Sequence, residues 1–592
     1  MIRFPSAEFP HYFPQIITYL PFFIAIQLAA NALFLQYSTM WRYSNIHIIE
    51  NILLSSTVGI VIIAAVTFFF QKLTMPRSIL ALVWISGIAF MGMSRFLVRK
   101  VYALKNKPMA RTEEVRRVLI YGAGQAGELL LRNIENTRQL GLNVIGFIDD
   151  DTTKTGKRIH NKRILGNGEI IGELIDEYGI QDIIFSIPSL SGPEIREKLD
   201  FIRSRTHKLI TIKIMPGLTD LVDDRIQISP IRPIEISDLL KRPPVQLDKS
   251  VVERLIGGKS VMVAGGGGSI GKELCRQIAV FKPEHLIVLD RNEFNIYQIE
   301  MEFLNEFPSL KMTFIVADGC DRNLMQNIFQ RFKPAIVFNA AAYKHVPLME
   351  ISPWSAVKNN LLSAMVLEEL SMKYGVERFI LISTDKAVRP TSVMGATKRI
   401  CELISLYNHN KNSTKFISVR FGNVLGSSGS VIPKFQKQIE SGGPVTVTHT
   451  QITRYFMLIS EAVELVLHAA AIGESGNIYV LDMGEPIKIA ELARLMIELS
   501  GLKVGEDVKI VYTGLRPGEK LYESLYFEGR ERATDVPNLL ILKPDTTFPD
   551  DMLGKVRNIV DNIHKLNHFE LRAEIKKLVP EYEPNLSKEL LN

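Results

Sequence analysis

The sequence predicts an α/β protein in which N-terminal transmembrane helices precede two doubly wound, Rossmann-like domains. Three observations predict it. Apolar residues concentrate before residue 100, strands and helices alternate from Val115 onward, and a glycine-rich turn follows the first strand of each of two separate βαβ series. At 592 residues the chain is too long for one hydrophobic core and long enough for two or three. The boundaries read as 1–110 for the transmembrane region, 111–243 for the first Rossmann-like domain and 244–592 for the second, with a break at Pro243-Pro244.

The membrane reading comes first along the chain. A hydrophobic content of 46% is high for a soluble protein. Ile16 to Gln36 and Ile52 to Phe70 are apolar and uncharged, each close to the roughly 20 residues that span the hydrocarbon. A third run, Ile79 to Val98, contains Gly87, Gly92 and Arg95, and is expected to span with Arg95 reaching the cytoplasmic interface. No basic segment followed by a small-residue cleavage site marks a signal peptide. The net charge of +7 could point to nucleic acid, but Arg95, Arg99, Lys100, Lys105, Lys107, Arg111, Arg116 and Arg117 crowd just after the third run. Positive-inside topology explains that cluster, so no nucleic-acid partner is expected; the bilayer is a partner, and everything past residue 100 should face the cytoplasm. Cys275, Cys320 and Cys401 lie far apart without metal-ligand spacing, which implies a reduced compartment and no structural metal.

In the first βαβ series, Val118-Leu119-Ile120-Tyr121 reads as a strand, Gly122 to Gly127 as a turn, and Glu128 to Asn136 as a helix. A strand from Val144 to Ile148, helices near Glu169–Tyr178 and Pro193–Arg203, and strands Asp182–Ile187 and Leu209–Ile214 follow. Gly122, Gly124 and Gly127 fit G-x-G-x-x-G in a strand-turn-helix context, where helix-start amides can hold a pyrophosphate. The Asp149-Asp150-Asp151 cluster gives no clean ribose signal, so nucleotide binding and a purely structural glycine turn both stand.

The second series is sharper. Ser260-Val261-Met262-Val263 reads as a strand, and Gly265, Gly268 and Gly271 give G-x-x-G-x-x-G, with Ser269 and Ile270 opening the next helix. That spacing brings backbone N–H groups onto a dinucleotide pyrophosphate. The strand Leu286–Leu289 ends at Asp290, where a carboxylate bonds the adenosine ribose and favours NAD over NADP. Arg291 could stack on adenine or accept a 2′-phosphate, and Asp318 could touch the adenine ring or cap a turn. Lys344 and His345 follow the strand Ala335–Asn339, at the sheet edge where ligands bind.

Five motifs then occur in order: Phe338-Asn339-Ala340-Ala341-Ala342-Tyr343-Lys344-His345-Val346-Pro347, Ser383-Thr384-Asp385-Lys386-Ala387, Arg420-Phe421-Gly422-Asn423-Val424-Leu425-Gly426-Ser427, Ile452-Thr453-Arg454-Tyr455-Phe456 and Leu515-Arg516-Pro517-Gly518-Glu519-Lys520. Together they resemble the membrane-anchored UDP-N-acetylglucosamine 4,6-dehydratases, bacterial enzymes in the polysaccharide-biosynthesis branch of the extended short-chain dehydrogenase/reductase superfamily. Trp41-Arg42-Tyr43 and Pro76-Arg77-Ser78 resemble that family's membrane region, which has four spans where this sequence shows three. The resemblance implies an extended short-chain dehydrogenase fold for the second domain and a multi-pass protein of the bacterial inner membrane. It further implies a homo-oligomer, bound NAD lined by Ala340 and Ala341, and UDP-N-acetylglucosamine as substrate.

It also exposes one substitution. Where related enzymes place Tyr four residues before Lys, this chain has Met394 before Lys398, and a thioether cannot carry a catalytic proton. The resemblance assigns the acid at O6 to Asp385 and the base at C5 to Lys386, with Lys398 on the nicotinamide ribose and Thr384 on the C4 hydroxyl. Lys386 must then lose its proton near neutral pH, which burial, Lys398 and the nicotinamide ring would promote and an ionised Asp385 would oppose, the two titrating as a coupled pair. The C4 hydroxyl proton leaves through Thr384, Lys386 or water. Asn423, Arg454 and Arg516 are expected on the diphosphate and Glu519 on the uridine ribose. The chemistry is oxidation at C4, loss of the C5 proton with departure of O6 as water, and return of the hydride to C6. C5 retention is favoured over inversion. A nucleotide-sugar 4-epimerase or a non-catalytic membrane scaffold are the other readings.

Overall fold

The computed structural model describes residues 9–34, 36, 46–69, 77–105, 115–137, 140–206, 208, 210–215, 231–240, 247–409, 411, 413–526, 531–542, 548 and 551–585. The Pro243-Pro244 break, Trp41-Arg42-Tyr43, Pro76, Lys107, Arg111 and Leu209 lie outside these residues. The chain divides into two compact units, Met1–Glu114 and Val115–Asn592.

The first unit holds three helices, α1 (Phe9–Leu33), α2 (Ile46–Phe69) and α3 (Arg77–Lys105), one on each expected span. Among the described residues, Glu50–Phe69 alone is long and apolar enough to cross a membrane; Leu20–Leu33 and Ile79–Arg95 are shorter apolar stretches. Polar side chains tie the helices together. Gln27 Nε2 in α1 donates to Asn31 Oδ1 at 3.2 Å and to the Ser55 carbonyl of α2 at 3.4 Å. Trp84 in α3 donates to Thr57 Oγ1 at 3.2 Å. Arg95, expected at an interface, is buried and donates to the Gln36 carbonyl at 3.1 Å.

The second unit contains both expected sheets. The first comprises β1 (Arg116–Tyr121), β2 (Leu142–Ile148), β3 (Arg158–Ile159), β4 (Lys162–Gly166), β5 (Asp182–Phe185), β6 (Thr211–Ile214) and β7 (Arg232–Pro233), in the order β3-β4-β2-β1-β5-β6-β7. Strands β4, β2, β1, β5 and β6 are parallel, and the central ones read as continuous apolar runs because helices cover both faces. The β3–β4 hairpin falls between Ile148 and Glu169, where the sequence predicts no element; β3 has only two residues, too few to show alternation.

The second sheet has nine strands. They are β8 (Ser260–Ala264), β9 (His285–Asp290), β10 (Met312–Val316), β11 (Ile336–Asn339), β12 (Arg378–Ile382), β13 (Lys415–Arg420), β14 (Asn477–Leu481), β15 (Glu531–Ala533) and β16 (Leu539–Leu542). Their order is β10-β9-β8-β11-β12-β13-β14-β16-β15, parallel through β14 with an antiparallel edge. The order reverses between β8 and β11, which is where a doubly wound sheet opens a ligand crevice. Two C-terminal helices, Met552–Asp561 and His568–Leu578, close the unit behind the helix Val393–Asn408.

Part of the first sheet's apolar core is shared with helices of the second domain, while the nine-stranded sheet packs in a cluster of its own. Ile195, Leu199 and Ile202, from the helix Gly192–Ser204, belong to one buried cluster with Leu492, Leu495 and Met496, from the helix Ile489–Leu499. Arg203 pairs with Glu498 across the same seam.

Candidate active site

The glycine turn after β8 is shaped by close backbone approach. Gly265 adopts φ +77°, and a Cβ there would lie 2.6 Å from the Ala341 amide nitrogen. A Cβ on Gly271 would lie 2.0 Å from the Gly265 carbonyl oxygen. Gly268 caps the helix Ser269–Val280, and no side chain among the described residues takes its first amides. A cradle that excludes side chains and presents free helix-start N–H groups fits a pyrophosphate. Asp290 accepts from the Gly267 amide at 3.0 Å and the Asn292 amide at 2.9 Å, at the ribose position, where its charge disfavours a 2′-phosphate. NAD is the dinucleotide these residues fit.

The other cofactor candidates have settled partners. Arg291 lies 4.5 Å over the Tyr343 ring and donates to Asn359 Oδ1 at 2.9 Å. Asp318 accepts from the Cys320 amide at 2.9 Å, the turn-capping alternative. Ala340 and Ala341 follow β11, the first bonded to the Ala264 carbonyl at 2.9 Å and the second to Asn339 Oδ1 at 3.2 Å. Met394 and Lys398 are buried on the helix Val393–Asn408, and burial pushes Lys398 below the ordinary lysine value.

Strand β12 delivers Ser383 through Lys386 to this crevice, and the structure brings the expected trio together. Thr384 Oγ1 donates to Asp385 Oδ1 at 2.8 Å; Lys386 Nζ donates to the same oxygen at 2.9 Å and to Asn423 Oδ1 at 3.4 Å. Asp385 is fully buried, and its Oδ2 has no hydrogen-bond partner among the described residues. A Cβ on Gly422 would crowd that oxygen at 3.3 Å and the Tyr455 Cβ at 3.1 Å.

One residue of this cluster escaped the sequence. Glu523 Oε1 lies 4.0 Å from Lys386 Nζ, with the carboxylate buried. The available signal was its place three residues past Lys520, in a segment already carrying charge. Its presence corrects the expectation for Lys386. Burial works against the ammonium, but Asp385 and Glu523 outweigh it and lift Lys386 above the ordinary lysine range. In this state the residue is an acid, not a free base.

A buried network holds the trio from below. Arg420 grips Glu402 through two contacts of 2.6 Å, and Ser383 Oγ donates to Glu402 Oε1 at 2.6 Å. The ends of β12 and β13 are thereby tied to the helix bearing Lys398. At the start of that helix the Val393 amide donates to Glu350 Oε1 at 2.6 Å, and Arg572 pairs with Glu350 at 3.1 Å. Removing one partner of such a pair leaves an uncompensated buried charge.

The substrate candidates divide. Lys344 lies below the lysine range through burial; His345 is lowered by burial and then by Lys344 and Arg516. Lys434, not foreseen, is lowered by burial and then by Arg516. Lys344 and Arg516 thus bear on His345, and Arg516 on Lys434. Arg516 is exposed and pairs with Glu519 at 3.4 Å; Glu519 also accepts from Thr448 Oγ1 at 3.3 Å. Arg454 differs from the expected phosphate clamp. It is buried and donates to the carbonyls of Thr453, Leu521 and Lys520 at 2.7, 3.2 and 2.8 Å, which fixes the loop bearing Glu519 and Glu523.

Residues 261–544 match the family described as polysaccharide biosynthesis protein, and residues 37–216 match the CoA-binding domain family. The chain is 40% identical over 559 residues to the probable polysaccharide biosynthesis protein EpsC of Bacillus subtilis, covering 92% of this chain and 89% of that protein. It is 36% identical over 564 residues to the capsular polysaccharide biosynthesis protein CapD of Staphylococcus aureus, covering 94% and 88%. Two shorter relatives match in part. A UDP-N-acetylglucosamine 4,6-dehydratase (inverting) of Campylobacter jejuni is 29% identical, over 51% of this chain and 90% of its own length. A UDP-glucose 4-epimerase of Rickettsia canadensis is 35% identical, over 45% of this chain and 77% of its own length.

Proposed function

This chain belongs to the polysaccharide biosynthesis protein family, and we propose that within it the protein catalyses the 4,6-dehydration of UDP-N-acetylglucosamine to a UDP-2-acetamido-2,6-dideoxy-4-hexulose with retention at C5. The observation that carries this reading is the pairing of buried Asp385 with partly buried Lys386 at the carboxyl end of β12, with an inert Met394 at the start of the next helix. NAD, bound in the glycine cradle, supplies the acceptor that makes C4 a ketone and the donor that returns hydride to C6.

The residues supply the proton steps. The C4 hydroxyl proton leaves to water past Thr384, whose own hydroxyl is held by Asp385 at 2.8 Å. Asp385, carrying the proton taken from Lys386, gives it to O6; neutral Lys386 takes the proton from C5 and returns a proton to the same face, and one proton from solvent restores the ion pair. The observed ion pair becomes the required acid and amine when one proton crosses the 2.9 Å gap from Nζ to Oδ1. The two groups therefore titrate as a pair. The cations Lys344, Lys434 and Arg516 hold the diphosphate, with His345 and Asn423 alongside, and Glu519 holds the uridine ribose. We place the protein in the bacterial inner membrane as a multi-pass protein with the catalytic unit on the cytoplasmic side, which the apolar α2 and the basic residues after α3 support.

The 4-epimerase reading draws on the identity to the Rickettsia protein. Met394 disfavours it, because an epimerase needs a proton acceptor at O4 and has no use for a second acid at O6. The test is detergent-purified protein with UDP-N-acetylglucosamine in heavy water, followed by proton NMR. A 6-deoxy-4-keto product with deuterium at C5 and ring couplings of the retained configuration is expected. A hexose product overturns the reading.

A further inference from the structure

Glu523 is not needed to explain either half-reaction, yet it is buried in the one place where its charge acts on the base. It sits on the loop that follows Lys520, with Oε1 4.0 Å from Lys386 Nζ and Oε2 3.6 Å from Lys520 Nζ. Oε2 has no hydrogen-bond partner among the described residues. Lys520 is anchored by its donation to the Val388 carbonyl at 2.7 Å. The charged groups facing this point are Asp385 and Lys386 at the end of β12, Lys520 on the same loop, and Arg454 from the strand Thr453–Arg454.

Two carboxylates thus flank one ammonium. The acid-plus-amine form of the Asp385–Lys386 pair places no charge beside Glu523, whereas the ion pair places a cation there. An ionised Glu523 stabilises the ion pair and opposes the proton shift from Nζ to Asp385 Oδ1; a neutral Glu523 releases it. Burial raises Glu523 above the ordinary carboxylate range, so its neutral form lies nearer to neutral pH than that of an exposed glutamate.

We propose that Glu523 is a positioning residue that gates the Asp385–Lys386 pair: its ionised form locks Lys386 as an ammonium, and its neutral form lets Lys386 serve as the amine. The proton balance is simple. When Glu523 takes a proton from solvent, Lys386 loses one stabilising neighbour, one proton moves from Nζ to Oδ1, and no bond to carbon changes until substrate is present. Its catalytic consequence rests on the dehydratase reading above, while its electrostatic content does not.

The test measures both separately in the full-length protein in detergent. Competitive amine labelling across pH, read by mass spectrometry at Lys386, reports that residue's titration without turnover; its side chain is 20% exposed. Glu523→Gln should move the Lys386 titration to lower pH by about one unit, and both limbs of the kcat/KM profile for UDP-N-acetylglucosamine should move the same way. Glu523→Asp should restore most of the shift. An unmoved labelling curve in Glu523→Gln protein that retains NAD overturns the proposal. A moved curve in a protein that yields no 4-keto sugar leaves the gate standing and removes the dehydratase reading instead.

Discussion

The two Rossmann-like sheets begin alike and end differently. In both, a glycine turn after the first strand donates a backbone N–H to an aspartate at the end of the neighbouring strand: Ala123 to Asp149 at 2.8 Å in one, Gly267 to Asp290 at 3.0 Å in the other. In both, a Cβ on the glycine inside the following helix would strike the turn, 2.2 Å from the Gly122 carbonyl at Gly127 and 2.0 Å from the Gly265 carbonyl at Gly271. The divergence lies in how the remaining polar groups are satisfied. Around the first turn, Lys154 pairs with Asp149 at 2.9 Å, and Asp150 accepts from Tyr121 Oη at 2.6 Å and Lys198 at 2.5 Å. In the second domain, Asp385 Oδ2 at the end of β12 and Glu523 Oε2 on the loop beyond Lys520 have no hydrogen-bond partner among the described residues. Buried polar atoms left unsatisfied are costly, so the open carboxylates fit the proposed proton chemistry, while the carboxylates at the first turn are already paired.

Breaking the open site should have the largest effect. Lys386→Met should lower product formation by about three orders of magnitude while NAD stays bound, read by NMR and by cofactor absorbance; Asp385→Asn should fall by roughly 10²–10⁴-fold. Substituting the paired glycines separates the sheets next. Gly271→Ala should strip NAD and cost about 1–3 kcal/mol, whereas Gly127→Ala should cost a similar amount in thermal unfolding with NAD content unchanged.

Acid should distinguish the two networks more gently. Burial works against the Glu402 carboxylate, yet Arg420 and Arg399 hold it at about 2, below the ordinary glutamate value of 4.5. Its contribution is present above 4.5 and is lost as pH falls toward about 2, so unfolding should steepen across that window and flatten in Glu402→Gln. The smallest effect is expected for Lys198→Met. It breaks a partly exposed pair in the closed network and should change stability by less than about 1 kcal/mol without altering NAD content or turnover.

Much of the architecture was legible because it rests on local pattern. The apolar runs of β1, β8 and β12 and the glycine spacings located the strands and turns to within a few residues, since a buried parallel strand must be apolar on both faces. Thr384, Asp385 and Lys386 were legible for the same reason, being adjacent in the chain and at a strand end. Glu523 and Lys434 were not. Each is an ordinary charged residue in its own segment, and only folding brings it beside a distant cation. Arg454 was misread from the opposite direction: its type suited a phosphate, but the carbonyls of residues 453, 520 and 521 reach it first.

The sequence by itself determined the alternation of strands and helices, the dinucleotide cradle and the loss of the phenol at Met394, because these depend on residue type and spacing along one stretch of chain. Tertiary structure decided the protonation of Lys386 and the packing of the first sheet's core against the helix Ile489–Leu499. Charge acts through space, with a strength set by ångströms and by burial, and neither is written in the order of residues.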